Sequence, residues 1–584
     1  MKITKIISLI TLLGVMISCN DDFLERYPLA SLSPETYFQS ESELRTYTNA
    51  FYNILPEALD IYYSGAVAGD DESNTGLRDE FRGTRVVPAS GGGWDWTTLR
   101  RINFFLENSH KCTDDRIRQR YDGLALFFRT WFYFEKIKRF GDVPWYDNVL
   151  DQNDEDGLYK ARDSRELVFN HMLEDINYAI ANLETGRNAQ LITKWTALAL
   201  KSRMCLFEGT FRKYHGIAGW EAILRECVSA SDDLIANSGY TIYTSSKDRV
   251  YQEMFVSDDA NPEMILARQY NNSIPLRHTA NFYTLSNSYG RPGVNRSLIN
   301  SYLKTDGSRF TDNPSYLTMQ WYEEMQNRDP RLSQTVRAPG HKLVNGDKIL
   351  LPVISAAITG YQWCKYITSD DVNVQCINDM PIIRYAEVLL NYAEAKAELG
   401  DITQPDIDKT IKLLRDRVGM PNLIVADANQ NPDPYIAEQY PRVSGTNKGI
   451  ILEIRRERRI ELVREGFRYY DVIRWKEGQL FERKWYGMYF PGAGEYDLDH
   501  DGEIDLVIYE GDIPTPQVPG RQYLKLGEEL IFEPVGNSVS GGQIITNSTI
   551  LKQWNEDKDY LYPIPTQDRD LNSKLTQNPN WPLL

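Results

Sequence analysis

Apolar residues recur along this chain at three- and four-residue spacings, in segments separated by long stretches with no sustained period. Between Arg120 and Phe140 the positions Leu124, Phe127, Phe128, Trp131, Phe132 and Phe134 keep helical spacing, and Gly141-Asp142-Val143-Pro144 stops the run. Trp96 to Lys111 places Leu99, Ile102, Phe105 and Leu106 on one face. Glu41 to Leu55 reads as a helix after the start signal Ser33-Pro34-Glu35-Thr36. Asp163, with Glu166 three residues on, predicts a capping box for a helix running to Leu183. Thr193 to Phe207 and Trp220 to Ala236 follow as an antiparallel pair. Downstream, helices are predicted over Pro381 to Leu399, closed by Gly400, over Pro405 to Val418, closed by Gly419, and over Gly449 to Trp475, broken near Gly466. The pairs repeat on the order of every 34 residues and alternate a small-residue helix with an aromatic one, as tetratricopeptide (TPR) pairs do. None carries the full consensus, so the expected class is mostly α with TPR-like pairs.

The intervening stretches have another character. Ile61 to Gly93 and Tyr240 to Val374 are rich in Gly, Asn and other polar residues, with strand-like pieces such as Met264 to Ala267, and Gln479 to Asn555 reads as hairpins and loops. Loops this long in a helical chain are usually functional. The expected organisation is one domain over residues 34–584, with a helical scaffold at 34–240 and 381–480 and loop-rich regions at 61–93, 240–380 and 480–555.

The first residues have an address. Lys2 and Lys5 precede an apolar run from Ile6 to Ile17, too short for a spanning helix, and Met16-Ile17-Ser18-Cys19 closes it. Residues 1–18 are expected to be a signal peptide, and Cys19 a lipid-bearing first residue of the mature chain, as at a lipobox. Each buried acyl methylene is worth about 0.8 kcal/mol, so several chains anchor stably. Residues 19–33 then form a tether, with Asn20, Asp21 and Asp22 just after the lipid.

With 584 residues, 42% of them hydrophobic, the chain can bury a full core. A formal charge of −17 excludes a phosphate-tracking surface, so no nucleic-acid partner is expected. Without Cys19 an odd number of cysteines remains, which disfavours a disulfide framework and leaves open only a bridge such as Cys364 to Cys376. No CxxC or His/Cys cluster suggests zinc. Aromatic residues make 12% of the chain, and rings either fill cores or offer flat faces to ligands.

Six motifs in order carry a resemblance. They are the tether Phe23-Leu24-Glu25-Arg26-Tyr27-Pro28 after the lipobox, Arg139-Phe140-Gly141-Asp142-Val143-Pro144, Arg328-Asp329-Pro330-Arg331-Leu332, and Arg384-Tyr385-Ala386-Glu387 through Ala395. Arg455-Arg456-Glu457-Arg458-Arg459-Ile460-Glu461 through Gly466-Phe467-Arg468-Tyr469-Tyr470-Asp471 to Arg474-Trp475 follows, and Leu561-Tyr562-Pro563-Ile564-Pro565 through Asn578-Pro579 closes the set. Together they resemble the SusD/RagB family of surface-exposed, outer-membrane glycan-binding lipoproteins. The resemblance implies a SusD-like fold, a carbohydrate ligand, an outward-facing lipid anchor in the outer membrane, and a SusC-like TonB-dependent transporter as partner. In the Arg455 to Trp475 segment, arginines and glutamates at helical spacing are expected to pair along helix faces while Ile460, Val463, Phe467 and Ile473 pack inward.

Sugars are held by an aromatic face flanked by polar groups. The loop ending at Trp94 offers Asp70, Asp71 and Asn74, then Trp94 after three glycines. Trp94 is read as the exposed ring and Trp96 as core, while Asp70 and Asp71 stand either as ligand acceptors or as caps of a turn. Tyr289 and Arg291, and Tyr361 and Trp363, are further candidates; Trp321 and Tyr322 read as core. Asp497, Asp499, Asp501, Glu503 and Asp505, with Gly502, match the first nine positions of a calcium loop, although Ile508 stands where a bidentate glutamate belongs. The other reading is an Asp-Gly hairpin turn. No cofactor is required, and calcium at this loop would be structural. A surface glycoside hydrolase would need two carboxylates about 5–9.5 Å apart across a cleft. Neither GxSxG nor HExxH occurs. A peptide-binding TPR scaffold is the remaining alternative.

Overall fold

The computed structural model describes residues 36–63, 69–245, 248–257 and 261–582. The signal run, Cys19 and the Ser33-Pro34 start signal lie outside the described residues. Helices take about 44% of the chain and the strands are short. The main helices are α1 (Asp115–Phe140), α2 (Arg165–Asn182), α3 (Lys194–His215), α4 (Trp220–Asn237), α5 (Tyr385–Leu399), α6 (Lys448–Glu461) and α7 (Arg468–Arg474). Each of α1 to α5 packs on the next and α7 packs on α3, so the TPR-like pairs form one continuous stack. No helix among the described residues is long and apolar enough to cross a membrane.

Local chemistry sets the ends. The Asp114 carboxylate accepts from the amides of Arg116 and Ile117 at the start of α1, and Gly141 closes it at φ +72°. The cap of α2 is Ser164, which accepts from Leu167 N, one residue later than the sequence suggests. Asp163 instead accepts from Trp145 N at 2.8 Å, tying the α1–α2 connection. The expected helix at Pro381 starts only at Tyr385. Met380–Arg384 is strand β4, buried throughout and paired antiparallel with β2 (Met264–Arg268). A short apolar run buried on both faces lacks the alternation that marks a strand. The segment read as a single helix from Pro405 is two, Gln404–Asp408 and Ile411–Asp416. Cys364 and Cys376 are buried free thiols, not a bridge.

Among the described residues, four small sheets build the irregular part. The two-residue strands β1 (Glu72–Ser73) and β3 (Gly293–Val294) pair antiparallel. β5 (Trp485–Phe490), β10 (Gly542–Thr546) and β9 (Phe532–Pro534) form one three-stranded sheet. In the other, β6 (Gly494–Tyr496) pairs antiparallel with β7 (Leu506–Tyr509), and β8 (Gln522–Lys525) lies parallel to β7. These strands close a second apolar core through Met488, Leu506, Leu524 and Ile544.

The helix α6 is buried along its whole length, charges included. The expected pairing along its own face is largely replaced by ion pairs to distant segments. Arg331 bridges Asp329 (2.7 Å), Glu457 (2.5 Å) and Glu461 (3.0 Å). Arg384 meets Glu263, Glu461 and Glu465 at 2.6–2.8 Å. Arg415 holds Glu457, Arg417 holds Glu461, and Arg456 pairs with Asp433. Around α7, Arg474 chelates Glu394, whose Oε1 also accepts from Trp475 Nε1 at 2.7 Å. The network joins three of the sequence motifs into one buried web. Burial by itself raises the Glu394 pKa; Arg474, with Arg458 and Arg455 behind it, outweighs that and brings it down to about 2.

A depressed carboxylate contributes stability above its unfolded pKa and loses it as pH falls through the folded value. The Glu394 contribution is therefore expected to be complete at neutral pH and to fade between about pH 4.5 and pH 2. Glu394→Gln strands a buried guanidinium and should cost about 3–5 kcal/mol in urea unfolding at pH 7, with the gap to the native protein closing towards pH 2. Equal stability at pH 7 would refute this role for the pair.

Candidate ligand-binding site

The loop that carries the acidic cluster runs across the network rather than into solvent. Arg468 pairs with Asp70 (2.6 Å) and Arg459 with Asp71 (2.6 Å), and all four side chains are buried. Gly69 takes φ +57°, and a Cβ there would stand 2.8 Å from Arg468 Cγ, so glycine lets the loop lie against this arginine. Burial raises the Asp70 pKa, but Arg468 and then Arg459 outweigh it and hold the carboxyl below its ordinary value. Asp70 and Asp71 are thus buried structural carboxyls tied to arginines, neither ligand acceptors nor simple turn caps.

Three further sequence candidates, Trp94, Tyr361 and Trp363, fall in the interior. Trp94 is 6% exposed and packs edge-on against Phe140 (4.9 Å) and Trp96 (5.2 Å). Lys136 donates to the carbonyls of Gly93 and Asp95, drawing the glycine-rich turn inward, and Trp96 is the more open ring of the two. The Tyr361 hydroxyl donates to Glu324 (2.6 Å) and accepts from Arg296 (2.9 Å). Trp363 lies buried 5.0 Å from the Arg464 guanidinium. Trp321 is core as expected; Tyr322 is half-buried, stacked on His500 at 3.9 Å.

Asn74 and Tyr289 do come together. The pairing of β1 with β3 continues into a hydrogen bond from Thr75 N to Gly290 O (2.8 Å), which sets the Tyr289 turn beside Asn74. Tyr289 is 43% exposed. Its ring lies 4.7 Å from Tyr283, 5.5 Å from Phe282 and 6.0 Å from Tyr63, while Tyr63 and Tyr283 are 4.4 Å apart. Burial, then the hydrogen bond to Tyr289, raises the Tyr283 pKa, so the phenol stays a neutral donor. Arg78 donates to the Tyr63 carbonyl at 3.2 Å, and half-buried Asn74 sits at the rim. Arg291 takes φ +49° behind the turn and reaches the Ile354 carbonyl at 3.4 Å. The result is an aromatic platform, exposed at Tyr289 and half-buried at Tyr63, Phe282 and Tyr283, with Asn74 and the Arg78 guanidinium beside it. Tyr63, Phe282, Tyr283 and Arg78 escape the sequence reading, although adjacent aromatic pairs in polar loops, Tyr62-Tyr63 and Phe282-Tyr283, are the available signal.

The carboxylates that precede the platform residue Asn74 in the loop lie in the interior. Asp70, Asp71 and Glu72 are all buried, and Glu72 lies 3.8 Å from Arg464. Elsewhere, Asp497, Asp499 and Asp501 bring carboxylate oxygens within 4.8 Å of one another on the β6–β7 turn. Asp497 also accepts from the amides of Asp501 and Gly502, and Asp505 accepts from Leu498 N. Burial, then the neighbouring Asp501 and Asp497, raises the Asp499 pKa, and one Asp499 oxygen is buried without a hydrogen-bond partner. The oxygen set suits calcium, which accepts irregular oxygen shells at 2.3–2.6 Å. Ile508 points into the second core, so no protein group supplies the bidentate position.

A stack of TPR-like helix pairs carrying long loops and short strands defines the class of fold. The SusD family model matches residues 262–581, and the chain belongs to that family. It is 24% identical to the SusD-like protein P38 of Formosa agariphila, over 79% of this chain and 89% of that one. It is 21% identical to a SusD-like protein of Bacteroides ovatus, over 89% and 91% respectively. A SusD-like carbohydrate binding protein of Bacteroides fragilis shares the fold, with a TM-score of 0.67 at 22% identity, over 93% of this chain and all of that one.

Proposed function

We propose that this chain is a non-catalytic glycan-binding protein of the cell surface, and that the platform of Tyr63, Tyr283 and Tyr289 is where sugar rings stack. The observation that carries this reading is the cluster of Tyr63, Tyr283 and Tyr289, with Tyr289 exposed, on a chain of this family. Aromatic faces bind the C–H surface of a pyranose, and the phenols and the Asn74 amide meet its hydroxyls. A carbohydrate-binding relative of the same fold supports the ligand class. Family membership and the Met16-Ile17-Ser18-Cys19 motif support a lipid anchor on Cys19, outward placement on the outer membrane, and delivery of the captured glycan to a SusC-like TonB-dependent transporter. The Asp497–Asp505 loop is proposed to hold a structural calcium ion through Asp497, Asp499 and Asp501, with Asp505 and the Glu503 amide fixing its shape.

Affinity electrophoresis against a panel of polysaccharides should retard the native protein in at least one gel, with no reducing ends released on long incubation. Tyr289→Ala should weaken that retardation about tenfold with an unchanged unfolding midpoint. Steady hydrolysis would instead favour the enzyme alternative, and full retention in the variant would remove the platform.

Calcium added in millimolar excess to chelator-treated protein should raise the unfolding midpoint by about 1–2 °C, and Asp497→Asn should abolish the shift. Superimposable melts with calcium and with chelator would show that the loop stands as a plain hairpin turn.

A further inference from the structure

A guanidinium without a carboxyl of its own stands beside the platform. Three carboxyls follow one another in the loop that leads to Asn74, and each has an arginine inside the fold. Asp70 has Arg468, Asp71 has Arg459, and Glu72 lies 3.8 Å from Arg464. Arg78, next in the same loop, is a fourth guanidinium left over from this pairing. Among the described residues it makes no ion pair and one hydrogen bond, to the Tyr63 carbonyl at 3.2 Å, and it is only half-buried. The acidic residues after it turn elsewhere: Asp79 accepts from the Thr84 hydroxyl and Glu80 from the Tyr562 hydroxyl, both at 2.7 Å. Arg291, the other cation of this region, reaches away from the rings to the Ile354 carbonyl.

The guanidinium and the rings are close enough to act on one another. Arg78 holds the backbone of Tyr63, whose ring lies 4.4 Å from Tyr283. The hydroxyl of that ring meets the Tyr289 turn, since a Cβ on Gly290 would stand 3.6 Å from it. Burial, then Tyr289, raises the Tyr63 pKa; Arg78 pulls it down, and more strongly than Glu72 adds to the rise. Burial also holds the Glu72 carboxyl above its ordinary range, in spite of Arg464 and then Arg78. The buried carboxyl therefore does not cancel the cation at the phenol.

A guanidinium presents a planar fork of N–H donors that matches a carboxylate or a tetrahedral oxyanion such as sulfate, and charge-assisted bonds of this kind are about twice as strong as neutral ones. The formal charge of −17 on the whole chain works against polyanions in general. Salt screens that repulsion beyond about 8–10 Å, so contact with Arg78 decides at close range while the distant charges deter non-specific binding.

We infer that the platform is built for an acidic glycan, with a sugar ring stacked on Tyr63, Tyr283 and Tyr289 and its carboxylate or sulfate group accepting from the Arg78 guanidinium. The inference rests on the glycan reading of the platform and names the class of sugar it takes.

The test runs the native full chain in affinity gels of two uronate polymers, polygalacturonate and alginate, and two sulfated ones, carrageenan and dextran sulfate. Parallel gels hold the carboxyl-reduced or desulfated form of each, and polyaspartate serves as a charged chain without sugar rings. At least one acidic polymer should bind about tenfold more tightly than its neutralised form, the uronate and sulfate arms showing which group is held, and polyaspartate should not bind. Arg78→Gln should erase that preference, whereas Arg78→Lys, which keeps the charge and loses the fork, should retain part of it. Melting curves confirm that both variants are folded, and the comparison in the native chain stands without them. Neutralised polymers bound as tightly as acidic ones, retention by polyaspartate, or a preference unchanged in Arg78→Gln would overturn the inference. If neutral polysaccharides are retained and acidic ones are not, the inference fails and the glycan reading stands; if no polysaccharide of either kind is retained, both fail.

Discussion

An arginine-rich helix buried on every side is the constraint on which the rest of this fold depends. Arg455, Arg456, Arg458 and Arg459 of α6 cannot leave water without partners, because an uncompensated buried charge costs several kcal/mol. The partners come from segments far apart in sequence: Glu398 from α5, Asp433 from the following loops, Asp471 from α7 and Asp71 from the first long loop. The glutamates of α6 make the reciprocal demand, met by Arg331, Arg415, Arg417 and Arg384. Such a web adds little net stability over an apolar core, but it penalises any arrangement that separates its members. It fixes which loops lie together.

That constraint links scaffold to surface. Asp71 and Asp70, clamped by Arg459 and Arg468, deliver the backbone to β1. Asn295 completes the clamp: its amide donates to the Asp71 carbonyl, and its side chain donates to the Asp70 carbonyl and accepts from Ser73. The β1–β3 ribbon then carries Asn74 on one strand and leads from the Tyr289 turn on the other. Tyr289 of the proposed platform is exposed, but Asp70, Asp71, Arg459 and Arg468, which set the ribbon beneath it, are buried.

The helical stack was legible because 3.6-residue periodicity and glycine stops report local structure directly. Errors fell where burial erased the pattern, as at Pro381 to Arg384, or where two adjacent residues both cap well, as at Asp163 and Ser164. The site was harder to read. Tyr289 and Asn74 were recognisable as polar-loop candidates, whereas Asp70 and Asp71 looked like free acceptors because their arginines lie nearly 400 positions away, 388 in the case of Asp71 and Arg459. Three glycines before Trp94 suggested an exposed ring, but the pull of Lys136 on Gly93 and Asp95 depends on a helix placed only by the fold. The charge run in α6 has the periodicity of a solvated face, and nothing in its spacing reveals complete burial.

The central claim is that the buried ion web holds the β1–β3 ribbon, and with it the proposed platform, in place. Hydrogen exchange at the amides of Thr75, Val294 and Asn295, whose acceptors are the carbonyls of Gly290, Tyr361 and Asp71, measures this directly. In Arg468→Met these three amides should exchange at least about tenfold faster while α1 to α4 keep their native protection. Native exchange rates at all three, in a variant that has lost the Asp70 ion pair, would contradict the account.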